Sequence, residues 1–273
     1  MKKLSLPRLL VGIAFYLAMP IMPAEVQAEI VTQWNFNTVI GVNNSPLPST
    51  GVGSATPVGM NGGLNNADIL AAGGTPTSTD PAATNNNAWR VRGSTNNGWS
   101  GTTQLLSGAQ FNVSTAGFNN IVTSFDVNAT NGSARYAQFQ YTLDGSSFTS
   151  FAPLIDFNAF NDRWAPSFSF DLSSISGANN NPLFGFKLVS AFSPVEFTNS
   201  SGLQAANTAF QRSDAASGVY NGTAGNWRFD MITVTSVPEP TTFSLVAVGM
   251  LGIALVCTRR KSKHLPTRKP NSI

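Results

Sequence analysis

The side chains between residues 29 and 236 that could carry out chemistry are carboxylates. Two carboxylates about 5–10 Å apart in one cleft could act as a glycosidase pair, and carboxylate oxygens can also ligate Ca²⁺. No Asp-x-Asp-x-Asp-Gly calcium loop is present, but Asp230 is a candidate partner for Arg228 or a ligand of a structural calcium ion. A structural role is favoured over catalysis at every candidate, namely Asp126, Asp144, Asp156, Asp162, Asp171, Glu196 and Asp230.

Histidine and cysteine are absent from this segment. The single cysteine, Cys257, lies in an apolar run, and the single histidine, His264, lies among the C-terminal basic residues. Without these residues the segment cannot form a Ser-His-Asp triad, a Cys-His pair or an ordinary zinc site. The sequence therefore predicts a non-enzymatic protein with no catalytic residues and no cofactor other than a structural calcium.

Aromatic residues beside loops rich in Gly and Asn are candidates for stacking on a sugar ring. For each of them, capping the edge of the fold is the alternative, and it is favoured. Trp34 and Trp227 follow strand patterns and are predicted to lie in the core. The stacking candidates are Trp89, Trp99, Trp164 and Tyr220.

The formal net charge of +3 and the pI of about 9.2 come from the two ends of the chain. Residues 29–236 contain seven basic and eleven acidic side chains, a formal net charge of −4. A mildly acidic segment without a basic surface is not expected to bind nucleic acid.

Short runs of alternating polarity predict β-strands, for example over residues 29–38, 121–128, 134–143 and 227–235. Asp144-Gly145 is a strong turn signal that follows the run 134–143 and leads into a further strand-like run at residues 148–151. Residues 41–88 are dense in Gly, Pro, Asn, Ser and Thr, which favours loops. The pattern predicts an all-β fold, an antiparallel two-sheet β-sandwich over residues 29–236.

The N-terminus has the features of a secretory signal peptide. Lys2, Lys3 and Arg8 precede an apolar stretch over residues 9–22, and small residues follow. Residues 1–28 are predicted to be removed by cleavage between Ala28 and Glu29.

The C-terminus combines three features in a fixed order. Pro238 and Pro240 hold Glu239 on a stiff, non-helical stretch, and an uncharged apolar run from Phe243 to Cys257 follows. We predict a transmembrane helix over residues 241–258. The basic residues beyond it predict a cytoplasmic tail at 262–273; they begin with Arg259, Arg260 and Lys261.

These three features span residues 237–261 and resemble the PEP-CTERM sorting signal of Gram-negative bacteria. The motif at the centre of the resemblance is Val237-Pro238-Glu239-Pro240. The resemblance implies recognition by an exosortase, a membrane-embedded cysteine protease resembling a transpeptidase, and export linked to exopolysaccharide. The chain departs from the usual pattern by continuing after Lys261 to Ile273. A plain membrane anchor is the alternative interpretation.

The central part of the chain resembles a secreted bacterial β-sandwich module. The resemblance implies a jelly-roll-like fold and a surface location, and no particular activity. It is carried by Trp34-Asn-Phe36, Phe111-Asn-Val-Ser114, Gln138-Phe-Gln-Tyr-Thr142, Leu143-Asp-Gly145, Phe184-Gly-Phe186 and Trp227-Arg-Phe-Asp230.

Three hypotheses for function remain. The first is a non-catalytic protein that is anchored in the inner membrane, processed by an exosortase, and delivered to the cell envelope or extracellular matrix with exopolysaccharide. The second is a carbohydrate-binding module acting in adhesion or biofilm, and the third is a glycosidase or polysaccharide lyase that uses Asp or Glu.

Overall fold

The computed structural model describes residues 28–37, 44–65, 78–81, 86–93, 99, 102–157, 163–214 and 225–236. All of them belong to one unit, Ala28–Glu239. Within these ranges the regular structure is β-strand with 3₁₀ geometry at Phe157 and at Ser176–Ala178, and no helix is long and apolar enough to cross a membrane. The strands are β1 (Glu29–Trp34), β2 (Thr50–Gly51), β3 (Gly53–Val58), β4 (Asn61–Asn65), β5 (Ala88–Arg92), β6 (Gly108–Val113), β7 (Ile121–Ala129), β8 (Tyr136–Thr142), β9 (Phe148–Ser150), β10 (Ile155–Asp156), β11 (Trp164–Asp171), β12 (Gly185–Ala191), β13 (Phe197–Asn199), β14 (Gly202–Gln204) and β15 (Asn226–Ser236).

The first sheet is organised around β15, the last of these strands. Its order is β11-β7-β15-β1-β2, and β5 also pairs with β15 while β4 pairs with β5. One edge of β15 pairs with β7, and the other edge pairs first with β5 and then with β1. All of these pairings are antiparallel, and they place the last strand at the centre of its sheet.

The second sheet has the order β10-β8-β12-β6-β3, and β9 also pairs with β8. The pairings between these strands are again antiparallel. The predicted Asp144-Gly145 turn joins β8 to β9, and Gly145 has a φ of 78°, a left-handed conformation that glycine adopts without steric cost. A separate hairpin is formed by β13 and β14.

Aromatic side chains from both sheets fill the space between them. Phe125 of the first sheet lies 6.3 Å from Phe139 of the second, measured between ring centroids. Phe139 also stacks on Phe170 of β11 at a centroid distance of 4.0 Å. Two sheets that share one buried core in this way form a sandwich.

The all-β, antiparallel fold predicted from the sequence is confirmed. Trp34 and Trp227 lie in the core as predicted, and both are 0% exposed. The alternating runs at 121–128 and 227–235 correspond to β7 and β15. The predicted signal peptide lies outside the described residues apart from Ala28, and the predicted membrane helix over 241–258 lies wholly outside them.

We predict that Phe139→Ala lowers the free energy of unfolding by about 3–5 kcal/mol, because it leaves a cavity where the two sheets meet. Urea denaturation measures this change. Leu203→Ala is the control, since Leu203 is 69% exposed and its loss should cost less than about 0.5 kcal/mol. Equal losses for the two variants would contradict the shared core.

Candidate functional site

Asp126 and Asp230 form a buried carboxylate pair on the outer face of the first sheet. They lie directly opposite each other where β7 pairs with β15, and they are 1% and 0% exposed. Their neighbours along the strands, Phe125 and Phe229, point into the core, so the two carboxylates point away from it. Two negative charges facing each other across a sheet repel, and this pair therefore needs compensating contacts.

Backbone and hydroxyl donors supply these contacts. Thr79 donates its N–H and its hydroxyl to Asp126 Oδ2, both at 2.6 Å, and Ser167 donates its N–H to Asp126 Oδ1 at 2.6 Å. The N–H of Met231 donates to Asp230 Oδ1 at 2.8 Å. Ser167 and Met231 have φ values of 63° and 48° at register shifts in their strands. The β-bulges therefore turn two N–H groups toward the carboxylates.

Ser78 connects the two carboxylates. Its Oγ lies 3.2 Å from Asp126 Oδ2 and within hydrogen-bonding distance of Asp230 Oδ2. The pKa of Asp230 is raised to about 8, chiefly by burial and in part by the nearby charges of Asp80 and Asp126, although the hydrogen bonds from Ser78 and Met231 lower it. A protonated Asp230 can donate to Ser78 Oγ, and the Ser78 hydroxyl is then free to donate to Asp126. The pair can thus be accommodated without two facing charges.

The surroundings of Asp230 supply hydrogen-bond donors more than metal ligands. Within the described ranges there is no group of three or more His, Cys, Asp or Glu side chains placed to hold a metal ion. A structural calcium at Asp230 stays a prediction. The contacts favour a different role for the pair, which is to fasten residues 78–81 to the outer face of the first sheet.

The other candidate carboxylates have local structural partners. The N–H groups of Ser147 and Ser146 donate to Asp144 at 2.6 and 2.8 Å and hold the pKa of Asp144 well below its usual range. Hydrogen bonds from Ser173 likewise lower the pKa of Asp171. Asp144 is therefore a turn residue, as predicted.

Three further carboxylates complete the candidate set. Asp156 is ion-paired with Arg135 at 2.7 Å. Glu196 is exposed in the segment before β13, and Asp162 lies outside the described residues.

The structure places three of the four predicted sugar-stacking residues in the interior. Trp89, Trp99 and Trp164 are 0%, 4% and 0% exposed, so none presents a ring face to solvent. Trp99 lies 4.5 Å from Trp227 between ring centroids. The stacking prediction is wrong for these three residues, because their rings are used in packing. Tyr220 lies outside the described residues.

The outer face of the second sheet carries two cross-strand rows of mostly polar residues, which we call the amide face. The strand registers align the residues of each row, and the intervening row of Phe111, Phe186 and Tyr141 points to the core. The first row is Thr56, Gln110, Lys187, Gln140 and Ser150, and the second is Ser54, Asn112, Gly185, Thr142 and Phe148.

Amide groups link the strands across this face. Within β6, Gln110 Nε2 donates to Asn112 Oδ1 at 3.0 Å, and Asn112 Nδ2 donates across to Ser54 Oγ of β3 at 3.3 Å. Gln140 Nε2 donates to Ser150 Oγ at 3.1 Å. Gln140 Oε1 is buried and has no hydrogen-bond partner.

A cleft of about 360 Å³ adjoins the second row of the amide face. Ser54 and Asn112 form one side, and Gly145 and Leu183 belong to loops that line it. Leu183 is 56% exposed and Val52, also in the lining, is 81% exposed. The cleft therefore combines polar groups from the sheet with apolar groups from loops.

This surface is not evident from any one segment of the sequence. Gln138 and Gln140 lie in one alternating run, and the strands that pair with this run are unknown from the sequence. The signal that could have found it is the recurrence of Gln, Asn, Thr and Ser at every second position of three runs, around residues 54–56, 110–112 and 138–142.

Residues 236–261 match the PEP-CTERM protein-sorting motif, which begins at the last residue of β15. The matched range contains Glu239 between its two prolines and the basic residues 259–261. The chain therefore carries a PEP-CTERM sorting motif, which implies export and processing by an exosortase in the cell envelope. The residues after Ser236 lie outside the described part of the structure.

No curated protein matches the chain. A solved structure titled "CBM4 structure and function" is similar at 13% identity and a TM-score of 0.29, with 66% of this chain and 88% of that chain covered. Nothing about a ligand follows from a similarity of this size.

We predict that Asp230→Asn changes the pH dependence of stability. The pKa of Asp230 rises from 3.8 to about 8 on folding, so between these values the folded protein keeps a proton that the unfolded chain has released. The free energy of unfolding should therefore fall as pH rises across this range, by up to about 1.4 kcal/mol per pH unit. Asp230→Asn should remove this fall and be more stable than the wild type at pH 8, measured by urea denaturation in EDTA.

Asp171→Asn is the matched control. The pKa of Asp171 is lowered in the folded state, so its contribution is present at neutral pH and is lost on acidification. The control should therefore lower stability at neutral pH. An Asp230→Asn variant that loses the same stability at every pH would contradict a protonated Asp230.

Proposed function

We propose that this chain is an exported, non-catalytic protein of the cell envelope or extracellular matrix that associates with exopolysaccharide. A signal peptide at residues 1–28 directs export, and a membrane segment at 241–258 anchors the precursor in the inner membrane with residues 262–273 in the cytoplasm. An exosortase then cleaves near Pro238-Glu239-Pro240. The PEP-CTERM match at residues 236–261 is the observation that carries this proposal.

The use of the carboxylates supports the non-catalytic part of the proposal. Asp126 and Asp230 face each other but are buried beneath their hydrogen-bond donors. Asp144 and Asp171 accept hydrogen bonds within their own turns. A glycosidase or lyase needs a carboxylate pair open to a cleft, and this arrangement favours structural roles instead.

The second candidate function is carbohydrate binding in adhesion or biofilm, with the jelly-roll-like sandwich as its scaffold. The observation that favours it is the amide face with its adjoining cleft. Glutamine and asparagine side chains offer both donors and acceptors, which suits the hydroxyl groups of a sugar. Stacking on Trp89, Trp99 or Trp164 has no part in this candidate.

Intact-mass analysis of the exported protein tests the lead proposal. We predict a product that begins near Glu29 and lacks residues 243–273. Glu239→Ala should prevent this processing and leave the tail attached, because it removes the one charge between the two prolines. Glu196→Ala, an exposed carboxylate outside the matched range, is the control and should be processed normally. An exported wild-type product that keeps residues 243–273 would contradict exosortase processing.

A further inference from the structure

We propose that the amide face and its adjoining cleft bind a neutral polysaccharide chain. This inference rests on the proposed surface location and names the ligand class and the site of the second candidate function. The first row runs across five strands, and four strand spacings of about 4.8 Å give it a length of about 19 Å. An extended polymer lying across the strands would therefore meet a continuous line of polar groups.

The chemistry of the two rows fits hydroxyl groups. The first row presents hydroxyls at its ends, two glutamines within, and Lys187 at its centre. Each sugar hydroxyl can donate one hydrogen bond and accept others, so it can pair with an amide at either end. The second row adds the hydroxyl of Ser54 and the amide of Asn112 beside the cleft.

Gln140 gives the most direct indication of a missing partner. It is 6% exposed, its Nε2 donates to Ser150 Oγ, and its Oε1 has no partner. A buried carbonyl oxygen without a donor costs about 1–3 kcal/mol. A glycan hydroxyl that displaces the groups covering Gln140 Oε1 and donates to this oxygen would remove this cost.

Lys187 and Phe148 supply the adjoining cationic and apolar groups. Lys187 Nζ lies 4.1 Å from the ring centroid of Phe148, and burial lowers the pKa of Lys187. The ammonium group of Lys187, which lies beside Gln140 in the first row, therefore sits over the ring of Phe148 in the second row. It can donate to a sugar oxygen, and the half-buried Phe148 ring adds apolar surface at the same edge.

The amide face is closed by buried side chains at the end away from the cleft, so a ligand has more accessible surface at the end beside the cleft. At the opposite end Tyr136 and Val189 are 5% and 0% exposed. In the second row Gly185 leaves room for the amide of Asn112, since a Cβ at this position would lie only 2.7 Å from Asn112 Oδ1. Gln140, Thr142 and Gly185 of the two rows are buried as well. The accessible part of the face is therefore the remaining residues of the rows and the cleft beside them.

The charges favour a neutral polymer over an acidic one. Lys187 is the one charged residue in the two rows, and residues 29–236 have a formal net charge of −4. Asp144 precedes Gly145 of the cleft lining, and hydrogen bonds keep its pKa low, so that it is negatively charged at neutral pH. A polymer of uronic acids would be repelled by this charge.

Affinity electrophoresis of the full-length chain in detergent tests the proposal. The probes are soluble neutral polymers, namely a mixed-linkage β-glucan, xyloglucan and galactomannan, with alginate and polygalacturonate as acidic polymers. We expect at least one neutral polymer to retard the wild type. Gln140→Met and Lys187→Met, which keep the side-chain length, should each weaken binding about three- to tenfold because each removes a hydrogen bond.

Gln33→Met is the matched control. Gln33 Nε2 donates to Thr233 Oγ1 at 3.0 Å across two strands of the first sheet, so the variant removes the same kind of contact away from the amide face. It should bind like the wild type, and the melting temperatures of all three variants verify folding.

Three results would overturn the inference: no retardation by any neutral polymer, retardation that survives both variants, or retardation by the acidic polymers alone. A protein that is processed as proposed and fails in this assay would contradict the glycan site and leave the export proposal standing.

Discussion

The position of β15 is the constraint on which the rest of the structure depends. This strand is the last one before the sorting motif, and it pairs with β7 on one side and with β5 and β1 on the other. Ser236, its last residue, is paired with Glu29, the first residue of β1. The first sheet therefore cannot be completed until the whole segment up to the sorting motif is available, and both ends of the sandwich leave from one end of that sheet.

The pairing of β15 also decides how the outer face of the first sheet is used. Alternation along β15 places Asp230 opposite Asp126, outside the core, and the surrounding donors fasten residues 78–81 there. The outer face of the second sheet carries amides, hydroxyls and one lysine instead. One face is thus committed to holding a loop, and the other retains polar groups with unused hydrogen-bonding capacity, as at Gln140.

Much of the secondary structure could be predicted from the sequence, because alternation is a local signal. The runs that became β7, β8 and β15 are examples, and Asp144-Gly145 marks the hairpin between β8 and β9 by its own turn chemistry. The sorting motif is also local, and its match needs no fold. The burial of Trp89 and Trp164 could not be predicted, because glycine- and asparagine-rich neighbours suggest exposure while packing by distant elements decides it. The amide face depends on the register of five strands, which no single segment contains.

Native-state hydrogen exchange on the full-length chain tests the central role of β15 most directly. We predict that the β15 amides between Trp227 and Val234 that bond to β7, β5 and β1 exchange only through global unfolding and are among the slowest in the protein. The amides of the separate β13–β14 hairpin should exchange much faster. Exchange of the β15 amides at the rate of that hairpin would contradict the account, because it would show that the first sheet holds together without its last strand.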